Sequence, residues 1–287
     1  MEAIKRRARL REILAGDRAV MASSVFDPMS ARVADELGYE LGLMGGSVAS
    51  FAVLGAPDIV LITLTELAEQ ARRVCRAGKL AVMVDADHGY GNALNVARTI
   101  EELAAAGVAA VTIEDTLLPR AFGSGGKTQL IPLEEGVGKM RAALAGRQDP
   151  RLVVIGRTSA VSITGMDDTV ARARAYEAAG VDALFFVGMT KKSEIDTISS
   201  AVKVPLLLGS AGPEISDRDY LASKRVRIAL QGHAPIAAAV QAVHATMKAL
   251  REGTPPGKLA GIAPPELMKQ VTRDADHARW IREFLDG

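Results

Sequence analysis

Eight short apolar runs, separated by stretches of helical spacing, constrain this chain more than any other feature. From Leu80 onward the order is regular: strand 80–87, helix 92–106, strand 109–115, helix 133–145, strand 152–159, helix 167–179, strand 183–188, helix 191–201, strand 205–210, helix 216–224 and strand 226–231. Two earlier runs, Ala19 to Val25 and Leu41 to Met44, complete the eight. Strands that alternate with helices pair in parallel, because each helix carries the chain back to the end where the previous strand began. Eight such units predict an α/β fold, the closed (β/α)8 barrel of the TIM type, with extra terminal helices. A doubly wound open sheet is the alternative, but no G-x-G-x-x-G follows the first strand, which disfavours its dinucleotide-binding form.

The remaining segments fit around that barrel. Met1 to Leu14 carries five lysines and arginines among apolar residues at helical spacing, with Glu2 and Glu12 interspersed, and reads as a surface helix rather than a transit peptide. Pro28 starts a helix through Leu37, and Thr63 to Arg76 forms another. Ser50 to Ile62 reads as a long connection of the kind that often carries function at a barrel mouth. The eighth helix, Pro235 to Arg251, is followed by the hinge Gly253-Thr254-Pro255-Pro256-Gly257. A last helical segment, Pro265 to Leu285, presents Trp280 and Phe284. The expected division is a barrel over 1–253 and a helical extension over 254–287, packing on the barrel or on a second subunit.

Composition narrows the partners. Among 287 residues the formal net charge is +1, so no broad field invites nucleic acid or an anionic membrane, and a small molecule is the expected ligand. The single cysteine, Cys75, falls in the pattern of Leu67, Ala71 and Val74 and reads as a packing residue. Without a disulfide, a targeting signal or a membrane span, the expected compartment is the cytoplasm.

In a barrel of this type the active site stands at the C-terminal ends of the strands. The third run ends in Asp85-Ala86-Asp87-His88-Gly89-Tyr90-Gly91-Asn92. If the strand continues, Asp85 and Asp87 share a face as i and i+2, and their repulsion would be relieved by a hard dication, Mg²⁺ or Mn²⁺. The competing reading makes both aspartates caps of the helix that begins near Asn92. Other strand ends supply Asp27, the turn Gly45-Gly46-Ser47, Glu114, Asp115, Arg157, Thr158 and His233. Asp27 and Asp115 are best explained as helix caps or solvated loop residues. Glu114 joins Asp85 and Asp87 as an oxygen donor to a hydrated Mg²⁺. Arg157 offers a planar fork to a substrate carboxylate. Gly46 and Ser47 offer backbone N–H groups to a substrate oxygen, and His233 a hydrogen bond to substrate. A scaffold or non-catalytic binder has no need of carboxylates crowded around one opening.

With these residues in view, the chain resembles the isocitrate lyase and phosphoenolpyruvate mutase superfamily over roughly residues 10 to 250. Asp85 to Asn92 and Ile113-Glu114-Asp115 are similar to its two metal motifs, and Gly45 to Ser50 to its substrate-binding turn. The resemblance implies a (β/α)8 barrel whose eighth helix is exchanged between neighbours, homotetramers built as pairs of dimers, and Mg²⁺-dependent chemistry on keto or hydroxy acids. Ser24 to Arg32, Ile113 to Pro119 and Gly232-His233-Ala234 resemble the branch that decarboxylates oxaloacetate to pyruvate and CO₂. By that resemblance Ser47, Asp85, Arg157 and His233 are substrate and metal contacts, with Asp58, Asp87 and Glu114 in the water shell. The lyase branch carries Lys-Lys-Cys-Gly-His where Phe122 to Pro132 has neither cysteine nor histidine, so cleavage of methylisocitrate type is disfavoured. Phosphonopyruvate mutase or hydrolase chemistry would want more cationic groups after Asp115 than Arg120 and Lys127. Two departures from the decarboxylating branch, Ser159 and Ala211, remove an amide and a phenol and bear on which acid is taken.

Overall fold

The computed structural model describes residues 2–210 and 212–286. Among them eight strands, β1 (Val20–Ser24), β2 (Leu41–Met44), β3 (Ala81–Asp85), β4 (Ala110–Glu114), β5 (Val153–Thr158), β6 (Ala183–Phe186), β7 (Leu206–Leu208) and β8 (Val226–Leu230), pair in parallel, each with its neighbour in sequence. β8 returns to β1 through Val20 opposite Ile228 and closes the barrel expected from the alternation. The helices of this part are α1 (Glu2–Ala15), α2 (Pro28–Glu36), α3 (Gly46–Leu54), α4 (Leu64–Cys75), α5 (Ala93–Ala106), α6 (Leu133–Ala145), α7 (Ala160–Ile163), α8 (Met166–Ala179), α9 (Lys192–Ala201) and α10 (Arg218–Ser223).

Helices outside and side chains inside leave β3 and β4 buried along their whole length, which is why they read as continuous apolar runs. Alternate residues turn inward: Val20 and Ala22, Leu41 and Leu43, Ala81 and Met83, Val153 and Ile155, Ala183 and Phe185 belong to one core cluster. The same period, two residues beyond Met83 and Ile155, reaches Asp85 on β3 and Arg157 on β5, and on β4 it runs from Ala110 through Thr112 to Glu114. The polar site is therefore the next layer of the core stack.

α1 closes the opposite end, where the sequence suggested a surface helix. Leu10, Ile13 and Leu14 join the core cluster, and Arg6 and Arg7 are buried. Arg6 donates to the Gly78 carbonyl at 2.8 Å and Arg7 to those of Val108 and Ala104 at 3.0 and 2.7 Å, so the basic residues satisfy carbonyls on the approaches to β3 and β4. The connection read over 50–62 begins as helix, since α3 runs from Gly46 to Leu54 and takes in its first five residues. Its residues are apolar all round rather than along one stripe, so no helical period marked it. Cys75 is buried on α4 and burial pushes its thiol up to about 12, as suits a packing residue.

The chain divides into two compact units, Met1–Gly232 and His233–Gly287. The second holds α11 (Ala234–Arg251), α12 (Pro265–Thr272) and α13 (Asp274–Phe284). The last two, read from sequence as one segment, are interrupted at Arg273, which adopts a left-handed φ of 60°. Among the described residues no helix is long and apolar enough to cross a membrane.

Candidate active site

Strand register decides which polar groups meet. Asp85 stands opposite Thr112, and Glu114 opposite Arg157. The Thr112 hydroxyl donates to Asp85 Oδ1 at 2.7 Å, while the Arg157 guanidinium donates to Asp85 Oδ2 and, at 3.1 Å, pairs with Glu114 Oε2. Its plane is backed by the Phe185 ring, 5.5 Å from the centroid. All of this is at least nine-tenths buried on the acid side: Asp85 is 8% exposed and Glu114 4%.

Asp87 arrives by a different route from the one its spacing suggested. β3 ends at Asp85, and Asp87 adopts φ +47°, a left-handed conformation that aspartate tolerates better than most residues. The i and i+2 argument therefore fails at this position, and a turn does the work of bringing the charge back toward Asp85. The Asp87 carbonyl accepts from the Glu114 N–H at 2.8 Å. Its carboxylate lies directly against Gly46, where an added Cβ would come within 2.6 and 2.7 Å of the two oxygens. Gly46 opens α3, whose first N–H groups lack partners inside the helix, so an anion there is favoured. Neither aspartate caps the following helix. Asn92 does so, accepting from Leu94 and Asn95.

Electrostatically the site carries more negative charge than its own cation balances. Burial, then Asp85, Glu114 and Asp58, raise the Asp87 carboxyl well above the ordinary range. Burial also pushes Glu114 up to about 7, with Asp85 and Asp115 adding to the shift and Arg157 opposing it. Burial works against the Arg157 charge, yet Asp85, Glu114, Asp87 and Asp58 together more than compensate and hold it cationic. Tyr90 is raised by burial and then by Asp87 and Asp85, which places its phenol within the same field.

Hard oxygen donors with unrelieved repulsion suit Mg²⁺ in kind. Among the described residues no three His, Cys, Asp or Glu side chains converge closely enough to hold an ion between them directly. Arg157 spans Asp85 and Glu114, so the set fits an ion that keeps several of its own waters better than a closed cage of carboxylates.

The other expected residues fall as follows. Ser47 is half-buried in the first turn of α3, next to Gly46. Asp58 is exposed on the connection after α3 and acts on Asp87 through its charge. His233 is the residue before α11 and belongs to the second unit. Ser159 precedes α7, and Ala211 lies outside the described residues. Asp27 caps α2 as expected, accepting from the Ser30 N–H at 2.7 Å. Asp115, just past β4, neither caps a helix nor meets solvent. It is wholly buried, and its Oδ2 accepts from Tyr176 at 2.7 Å and Arg172 at 3.1 Å. Thr158 is buried beside it, and its hydroxyl accepts from the Ala160 N–H. Two functional groups escaped the sequence reading: Thr112, which shares the inward face of Glu114 by period two, and Gly46 as the seat of the Asp87 carboxylate. The first was open to discovery from spacing, the second was not.

A closed parallel barrel with inward carboxylates and a buried arginine at its C-terminal rim has the build of a (β/α)8 enzyme acting on small acids. The chain belongs to the phosphoenolpyruvate phosphomutase family, the match running over residues 10–251. It is 62% identical over 271 residues to oxaloacetate decarboxylase of Bradyrhizobium diazoefficiens, covering 94% of this chain and 94% of that one. Among solved structures it is similar to a complex of phosphonopyruvate hydrolase with oxalate and Mg²⁺, at TM-score 0.85 and 28% identity, covering 98% of this chain and 99% of that one. It is likewise similar to oxaloacetate acetylhydrolase in complex with the inhibitor 3,3-difluorooxalacetate, at TM-score 0.84 and 27% identity, covering 99% and 98%.

Proposed function

We propose that this protein is a carboxy-lyase that converts oxaloacetate, or a closely related 2-keto dicarboxylic acid, to pyruvate and CO₂. The observation that carries the reading is the inward array of Asp85, Glu114 and Arg157 at the C-terminal rim, with Asp87 folded back onto it. The 62% identity to an oxaloacetate decarboxylase supports the choice among acids.

Mg²⁺ held by Asp85, Asp87, Glu114 and Asp58 would supply Lewis acidity toward the carboxylate and keto oxygens of the substrate. Mg²⁺ is preferred to Mn²⁺ because it is the ion in the related hydrolase complex. Arg157 provides the planar fork for a substrate carboxylate, its position fixed by Asp85, Glu114 and the Phe185 ring. The C3–C4 bond breaks with its electrons remaining on the three-carbon fragment, CO₂ departs, and C3 takes up a proton. The N–H groups of Gly46 and Ser47 in the first turn of α3 are donors for the oxygen that gains charge in that step. His233 enters on the motif Gly232-His233-Ala234 alone, as a hydrogen-bond donor to substrate.

The same reading includes a cytoplasmic homotetramer, a dimer of dimers, in which the eighth helix is exchanged between neighbours and 1–253 acts as the barrel with 254–287 as its extension. Neither nucleic acid nor membrane is a partner in it.

The test offers oxaloacetate, 2-methylisocitrate and phosphonopyruvate separately, with Mg²⁺ and with chelator, and follows pyruvate against the uncatalysed background. Magnesium-dependent release from oxaloacetate above the other two is the expected result. Preference for either competitor, or indifference to chelator, would overturn the assignment.

A further inference from the structure

Lys139 is a buried ion that the chemistry above does not use. It lies on α6 with 3% of its surface exposed, and its ammonium donates to the His88 carbonyl at 2.9 Å. An ammonium removed from water loses its hydration, whereas a methionine would fill the same volume without that loss. The partner it reaches belongs to the turn after β3, where the non-glycine residues Asp87 and Tyr90 hold left-handed φ of 47° and 61°.

The backbone of that turn is braced at four successive carbonyls. Ala86 accepts from the Gly89 N–H at 2.9 Å, Asp87 from the Glu114 N–H at 2.8 Å, His88 from Lys139, and Gly89 from the Thr99 hydroxyl at 3.1 Å. Lys139 is the one charged donor of the four, and without it the His88 carbonyl, in a residue 5% exposed, would lose its partner. Burial lowers the readiness of Lys139 to stay protonated, and Glu135, Glu114 and Asp115 counter it, so its charge stands behind the carboxylates of the rim.

We infer that Lys139 is a positioning residue for the metal-binding turn: its hydrogen bond to the His88 carbonyl holds the backbone that aims Asp87. The inference rests on the magnesium reading above. It acts through Asp87 and the His88 carbonyl, with no contact to substrate required.

Mg²⁺ affinity measured by titration calorimetry on the full chain, without substrate, tests it. Lys139→Met keeps the packing and removes donor and charge, and Lys139→Arg restores both. The expected result is binding about 10- to 100-fold weaker in K139M and within about threefold of the parent in K139R. In turnover, the Mg²⁺ concentration for half-maximal rate rises in K139M, while the rate at saturating Mg²⁺ changes little. A folded K139M with parental affinity overturns the inference, as does a K139R no better than K139M. Should K139M fail to fold, Lys139→Leu, which also lacks a donor, takes its place, and parental affinity there overturns it equally. A parent protein that binds no Mg²⁺ would instead remove the magnesium reading on which this one stands.

Discussion

Asp87 shows how one residue can be chosen against stability. It is buried, left-handed in φ, and repelled by Asp85, Glu114 and Asp58. Asparagine tolerates the same backbone and has the same size, so Asp87→Asn isolates the charge. The expected outcome is a melting temperature at pH 8, without Mg²⁺, a few degrees above the parent, and magnesium-dependent pyruvate release lower by at least about 100-fold. Differential scanning fluorimetry and a coupled assay read the two, and a fall in both would show that the carboxylate is needed for folding. What the sequence conveyed about this residue was its chemistry and its company. Its conformation was hidden, because a strand and a left-handed turn leave the same letters, Asp-Ala-Asp, and only the φ angle separates them.

At the scale of elements, α8 serves the site from outside the barrel. Arg172 donates to Asp115 Oδ2 at 3.1 Å and to the Ile131 carbonyl at 3.2 Å, and Tyr176 donates to the same carboxylate oxygen at 2.7 Å. The Ile131 N–H returns to the Asp115 carbonyl at 2.9 Å, and Thr116 bridges Leu130, so the segment from Leu117 to Gln129 leaves and re-enters the fold through one clasped base. Gly136 on α6 is required beside it, since an added Cβ would stand 2.4 Å from the Tyr176 hydroxyl. Replacing Tyr176 with Phe strips a hydrogen bond from a buried carboxylate and should cost about 2 kcal/mol. A urea unfolding curve displaced to lower midpoint with unchanged slope is the measurement, and an unmoved midpoint would mean that Arg172 alone satisfies Asp115. Sequence placed α6 and α8 within a residue of their observed limits, because both have regular spacing and end on glycine. It could not place Asp115, whose partner Arg172 lies 57 residues away.

Across the whole molecule, two properties follow from charge and exposed surface. Glu114 titrates near 7 when folded, against an ordinary 4.5. Between those values the folded chain holds a proton that the unfolded chain has released, so stability falls as pH rises through this window. Mg²⁺ displaces that proton, and its stabilising effect should grow over the same interval. Melting temperatures from pH 5 to 8, with Mg²⁺ and with chelator, are expected to diverge steadily, and parallel curves would count against Glu114 as a ligand. The second property concerns α11, where Val240, Val243 and Met247 are 64, 57 and 65% exposed along one stripe. Such a stripe is what the proposed exchange between subunits would cover. Light scattering should report a tetramer for the parent and smaller species for Val243→Asp with Met247→Asp, whereas a monomeric parent would end the proposal of exchange.

By itself the amino-acid sequence determined eight alternating strand and helix units in parallel order, the strand ends at which polar residues collect, and the place of Asp85, Glu114 and Arg157 in that polar set. All three follow from period and composition, which are local. Tertiary structure decided what those groups touch: Arg157 between two carboxylates, Asp87 against Gly46, Thr112 on Asp85, Lys139 behind the turn. Each is a meeting of residues far apart in the chain, set by strand register and helix seating, and distance along a sequence carries no record of distance across a fold.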